Sequence, residues 1–322
     1  MRPEFQARHW DYVMGGPILQ SQQWPGLATV GANAQISKLA LKTDPDAPFL
    51  LRSIAARVQY DTTSTAHRQT GLNQLQLRFS GPTENYLQQV PVPITLMTPW
   101  GGQLGNPKPL NRQLLYPANS TIFVDLINNG STTLTNLTFY FRGVKLFPWG
   151  VRRSYPYPRR MSTIPFTYMR GVSPSVGATT LFNIPVTTGI VGIRNQLQIT
   201  SDGDFVLRAI QAGPTSNNLS WEVFFRFKDS DEYPYSSDFV HADVYAGNAL
   251  GPASFPTASG GTTVFQGAVA IGPSVPGVFF PEIYIPNQQY LIYEVYRADS
   301  GQGTAAAQDF PIAFQGAKVF AQ

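Results

Sequence analysis

The side chains able to do chemistry are few and scattered: three histidines, 19 acids and no cysteine in 322 residues. The absence of cysteine excludes disulfides, thiolate metal sites and thiol nucleophiles together. His9, His67 and His241 fall in no H-E-x-x-H, H-x-E or Ser-His-Asp pattern, so neither a zinc site nor general acid–base catalysis has support. The densest group is "DFVHADV", with Asp238, His241 and Asp243. In an extended strand His241 and Asp243 share a face, a spacing that suits a weak divalent-metal contact; a polar strand edge is the simpler reading, and we assign no metal or other cofactor. "SDGD" (201–204) and "KDSDE" (228–232) look like fragments of calcium loops but lack the full acidic ladder and closing glutamate, so they read as turns. No phosphate-binding glycine loop or G-x-S-x-G elbow is present.

Positive charge is concentrated. The net charge is only +4, yet residues 151–170 carry five arginines and no acid, interleaved with Tyr155, Tyr157, Phe166 and Tyr168. Such a stretch can hold phosphates and stack bases, or clamp a neighbouring protein, since arginine and tyrosine are enriched in interface cores. Six lysines in the whole chain make no general polyelectrolyte face, so we favour protein contact. With the aromatics of the N-terminal segment, the interface residues expected are Trp10, Trp24, Arg152, Arg153, Tyr155, Tyr157, Arg159 and Arg160. Trp100 and Trp149 suit a sugar platform, though packing is the commoner fate of tryptophan.

The elements that would position these groups come in two similar sets. "DAPFLLRSI" begins at Asp46 and "DGDFVLRAI" at Asp202. Upstream, "KLALKTD" (38–44) matches "QLQITSD" (196–202) at an offset of 158, which drops to 156 at Phe49 and Phe205. Further on, "LQLRFSG" parallels "VFFRFKD", "LYPANSTIFVDL" parallels "YIPNQQYLIYEV", and "FYFRGVKLF" parallels "IAFQGAKVF". Arg52 and Arg208 take equivalent places, where each is expected to close a strand end on an acid such as Asp44 or Asp202. Gly143 and Gly316 sit inside the last strands, where glycine marks a bulge or a close backbone approach.

Glycine and proline, 28 and 27 residues, are spread through the chain as turns between short strands rich in β-branched and aromatic residues. Each copy holds about eight strand candidates and ends in a hairpin-like pair. The fold class expected is therefore all-β: two tandem jelly-roll-like β-sandwich domains related by internal duplication, with an extended N-terminal arm and an extended connector. The boundaries are 1–37 for the arm, 38–148 for the first sandwich, 149–194 for the arginine-rich connector and 195–322 for the second sandwich. Charged residues make up only 13% of the chain, against roughly 25% in ordinary soluble domains, which suits lasting contact with neighbours. No secretory h-region or spanning apolar stretch is found, and a soluble chain is expected.

At "FYFRGVKLFPWG" and "IAFQGAKVF", together with "FLLRSI" and "FVLRAI", the chain resembles virion structural proteins of tailed bacteriophages, which are low-charge, cysteine-free, Gly/Pro-rich β-sandwich proteins. The resemblance assigns no site residue and implies an assembly protein without enzymatic activity. It further implies a homo-oligomer in the virion, assembled in the host cytoplasm on capsid, portal or neck proteins, with no membrane, nucleic-acid or small-molecule partner. Among virion roles a minor capsid, decoration, collar or head-fibre-base protein comes first and a double jelly-roll major capsid protein second. From other classes, a carbohydrate-binding adhesin and a glycoside hydrolase built on loop carboxylates remain alternatives.

Overall fold

A computed structural model describes residues 5–15, 29–57, 74–94, 109–131, 133–135, 137–148, 161–170, 193–212, 221–241, 244, 277–299 and 312–321. The chain forms two compact units, one built on the strands before residue 149 and one on those after 150. Unit 1 holds β1 (Phe5–Met14), β2 (Thr29–Val30), β3 (Gln35–Lys42), β4 (Phe49–Arg57), β5 (Leu75–Phe79), β6 (Val92–Pro93), β7 (Pro109–Tyr116), β8 (Thr121–Asn128), β9 (Leu134–Thr135) and β10 (Thr138–Pro148). Unit 2 holds β11 (Met161–Arg170), β12 (Ile193–Gln198), β13 (Asp204–Ala212), β14 (Trp221–Lys228), β15 (Val240–His241), β16 (Gly277–Ile285), β17 (Tyr290–Asp299) and β18 (Ile312–Ala321). Among the described residues there is no helical element.

Unit 1 pairs its strands in the orders β1-β10-β4-β7 and β3-β8-β5-β6, with β2-β9 as a short extra ladder. Unit 2 uses β11-β18-β13-β16 and β12-β17-β14-β15. With β2 and β9 set aside, both units are two four-stranded antiparallel sheets in which the first strand lies beside the last, the order of a jelly roll. Alternation puts Ile122, Val124 and Leu126 of β8 inward, all fully buried. Phe79 meets Phe141 edge-on across the first sandwich, and Phe227 meets Phe314 across the second. Phe49 and Phe205 are buried core anchors, each worth roughly 2–3 kcal/mol of transfer free energy.

The two units also share register. Trp10 and Phe166 lie opposite Gly143 and Gly316; Leu41 and Leu197 lie opposite Ile122 and Leu291; Phe49 and Phe205 lie opposite Lys145 and Lys318. A constant offset of 156 residues thus relates the first three strands of the units. This corrects the offset of 158 at residues 38–44: Leu41 corresponds to Leu197, not Leu39. A strand pattern of period two looks the same after a slip of two residues, so apolar matching cannot detect the error. Even the strained turns coincide. Glu84 (φ 61°) and Glu232 (φ 65°) are left-handed at one turn, and Asn119 (φ 61°) and Gln288 (φ 60°) at another, although such residues rarely adopt that region.

Three further expectations change. Residues 5–14 are not a free arm but β1, hydrogen-bonded along its length to β10, and residues 161–170 of the connector form β11 on β18. Proline and scattered polar residues hide this, because a strand's face is set by the sheet it joins. The last two long strands of each unit are no hairpin: β8 and β10 lie in opposite sheets, as do β17 and β18. Finally, Arg52 and Arg208 do not pair with Asp44 or Asp202. Each is the extra residue of a β-bulge in the third core strand, facing Gln113 (3.2 and 3.1 Å) and Glu282 (2.7 Å) on the neighbouring β7 and β16.

Candidate functional site

The only elaborate side-chain cluster present in both units of the described structure surrounds a lysine on the last strand. Lys145 (1% exposed) donates to Asp44 at 2.6 Å and pairs with Asp46 at 2.9 Å, while its ammonium lies 3.4 Å from the Trp10 ring centroid. The Tyr12 hydroxyl donates to Asp44 and accepts from the Asp44 backbone N–H at 2.8 Å. In unit 2 Lys318 donates to Thr200 at 3.0 Å and to Asp202, and stands 4.3 Å from the Phe166 centroid. The Tyr168 hydroxyl is 2.9 Å from Thr200 Oγ1 and accepts from the Thr200 N–H. Trp10, Tyr12, Asp44 and Asp46 thus become Phe166, Tyr168, Thr200 and Asp202. An ammonium on an aromatic face, closed by carboxylates, ties the first strand to the loop entering the third. Burial, outweighing a backbone hydrogen bond, pushes the Tyr12 hydroxyl far above its ordinary range, while the Lys318 contact holds Asp202 below its own. The arrangement is a clamp built on a buried lysine and partly exposed carboxylates.

A second cluster escaped the sequence reading. On the opposite face of β1, His9 Nε2 lies 2.9 Å from Asp11, and Arg142 Nε donates to the other Asp11 oxygen at 3.0 Å. All three are buried. Burial alone would raise the Asp11 pKa, but Arg142 and His9 outweigh it and hold it at about 2. The i, i+2 spacing of His9 and Asp11 on one strand was the available signal. A third carboxylate, Asp125, accepts from Arg78, from the Tyr86 hydroxyl at 2.7 Å and from the Lys38 N–H at 2.8 Å, which anchors the β5–β6 connection.

The acidic stretches resolve into turns. Asp204 accepts from the Asn287 N–H and the Tyr284 hydroxyl, and Asp229 from the N–H groups of Asp231 and Tyr233. Among the described residues no three His, Asp or Glu side chains gather as metal ligands. Asp238 is buried beside the Phe239 N–H (2.6 Å), and burial raises its pKa to about 6 against the smaller opposing pull of that N–H and Arg226. A carboxyl with a raised folded pKa favours folding below its unfolded value near 4 and opposes it as pH rises through 6. Asp238→Asn is therefore expected to stabilise unit 2 by about 3 kcal/mol at pH 8 and to match the parent at pH 4. Thermal melts across that range check it; a variant less stable at pH 8 would refute the assignment.

Of the interface residues expected, only Trp10 lies within the described structure, and it is a core residue of unit 1 instead of a contact surface. It fills the space over Lys145, which a strand docked on β10 requires. Trp24, Arg152, Arg153, Tyr155, Tyr157, Arg159 and Arg160 lie outside the described residues, as do His67, Trp100, Trp149 and Asp243 and the side chain of His241. The apolar surface that the structure does expose is elsewhere: Leu87 and Val90 after β5, Leu115 on β7, and Ile164 and Phe166 on β11.

No protein-family model and no curated protein matches the chain. Solved structures do. A peptide-N(4)-(N-acetyl-β-D-glucosaminyl) asparagine amidase matches at 9% identity over 97% of this chain and 96% of that one, with a TM-score of 0.21. The tandem CBM22 domain of Paenibacillus barcinonensis Xyn10C matches at 8% identity, 100% and 94% coverage and TM-score 0.19. The structure of infectious bursal disease virus Gt strain matches at 10% identity, 98% and 72% coverage and TM-score 0.20. At these scores none of them transfers a site residue. The amidase matches nevertheless overturn the expectation that the chain lacks enzymatic activity, which is withdrawn with no reaction put in its place: the chain is an all-β protein of two sandwich units, weakly similar to an amidase, to carbohydrate-binding modules and to a viral capsid.

Proposed function

We propose that the chain is a double jelly-roll shell protein of a virion, which assembles with copies of itself. The observation that carries this reading is the occurrence of two whole jelly rolls in one chain, in the same strand order and register. That agreement, down to the left-handed turns, supports an origin by tandem duplication. It also moves a shell role ahead of the decoration or collar role, because jelly rolls are a recurrent architecture of capsids and a pair of them doubles the packing surfaces available to each subunit. Sparse charge, 13% of residues, supports large contact areas with low desolvation cost. Jelly rolls also serve lectins, so the rival reading is glycan binding. Sedimentation and electron microscopy of the purified full chain, alongside a glycan array, separate the two. The expected result is concentration-dependent, regular oligomers; a chain that stays monomeric at its solubility limit and binds glycans would overturn the proposal.

A further inference from the structure

The two units are alike in fold but reciprocal in what they leave open. On the first strand, unit 1 buries Arg8 and Trp10 (both 3% exposed), while the matching Ile164 and Phe166 of unit 2 are 55% and 37% exposed. In the connection between the fourth and fifth core strands the asymmetry reverses. Leu87 and Val90 of unit 1 are 46% and 62% exposed, where unit 2 buries Tyr235 (6%) and Asp238 (8%). Each unit therefore exposes the position that the other covers, and these four side chains with Leu115 are the large exposed hydrophobics among the described residues.

From this we infer that β11 of one copy of the chain docks on the β5–β6 connection of a second copy. The inference rests on the reading of the chain as one that assembles with itself. Both surfaces are held firmly. β11 pairs with β18 over ten residues, and the connection is tied down by Tyr86 on Asp125, by Leu87 N–H on the Phe79 carbonyl and by Gln88 on the Phe79 N–H. The two segments do not repel by charge: β11 carries Arg170 and no acid, and Glu84 is the one charged residue of 81–90. β11 is an edge strand that contains Pro165, a residue without a backbone N–H that disfavours strand addition at an edge, so the contact is made by side chains. Because the two patches differ, the contact is heterologous: a pair of copies keeps one unused patch of each kind, one on each copy, and assembly continues until a ring closes.

Two variants at exposed positions test this by complementation. Ile164→Asp spoils the strand patch and Val90→Asp the loop patch, and both leave the core intact. Each alone is expected to weaken self-association of the full chain at least tenfold in sedimentation, with an unchanged thermal melt. A one-to-one mixture is expected to form dimers that stop at two subunits, since it retains a single good pairing. Parent-like oligomers in both variants, or folded variants whose mixture stays monomeric, would overturn the docking while leaving the shell reading intact. A parent chain that never associates would overturn both.

Discussion

Alanine at Gly316 or Gly143 is expected to cost its unit about 3 kcal/mol, enough to lower that unit's melting temperature by about 10 °C. A methyl group at Gly316 would stand 1.9 Å from the Val206 carbonyl oxygen and 2.8 Å from the Phe205 ring; at Gly143 it would stand 2.1 Å from the Leu50 oxygen. The two carbonyl oxygens are backbone atoms of β13 and β4, central strands that cannot yield as a surface side chain does. The close approach follows from the bulge. At Arg142/Gly143 and at Leu207/Ala209 the register shifts by one residue, Arg52 and Arg208 are extruded, and the adjoining backbone swings toward the glycine. Separation of β10 from β4, or of β18 from β13, would forfeit ladder hydrogen bonds as well as packing. Calorimetry on each variant is the check: a loss below about 1 kcal/mol would show that the sheet relaxes around the methyl group.

Asp11→Ala is expected to cost about 3–5 kcal/mol at neutral pH, because it removes the carboxylate with which a buried guanidinium is paired. Asp11 is fully buried against Arg142 and His9. The parent carries its own pH dependence from this site. The folded pKa, about 2, lies below the ordinary 3.8, so the carboxylate's contribution is complete above about pH 4 and is lost as pH falls toward 2. The linked stabilisation is about 2 kcal/mol. Denaturant unfolding between pH 2 and 6 is expected to show that dependence in the parent and a flatter profile in Asp11→Ala. Equal slopes would mean that Asp11 is not the group responsible. The comparison also reports on β1, since His9 and Asp11 sit on the strand whose docking completes the first sheet.

Much of the second cluster's logic was readable in one dimension once the strand was known, and the strand was the part that was missed. "FQARHWDYVM" alternates His9 and Asp11 with Trp10 and Tyr12, but both faces of β1 are buried, so the pattern shows no apolar and polar sides. The same is true of β10, where all residues from Thr138 to Lys145 are buried. A strand covered on both faces loses the alternation by which sequence announces it. The lysine clamp had a different obstacle. Lys145 and Lys318 were matched through "GVKLF" and "GAKVF", but their partners lie about 100 residues away in the chain and meet them only through β1 and β4 or β11 and β13.

Taken alone, the sequence determined that the chain is all-β, that similar phrases occur twice in the same order, and that Phe49, Phe205, Gly143 and Gly316 hold equivalent places. These follow from local preferences and from identities strong enough to survive loop variation. Tertiary structure alone decided the register of the first strands, the assignment of Trp10 to a core, the partners of Arg52 and Arg208, and the reciprocal exposure of β11 and the β5–β6 connection. The physical reason is common to all four: a strand pattern of period two is unchanged by a slip of two residues, and whether a face is buried depends on what the rest of the chain lays over it.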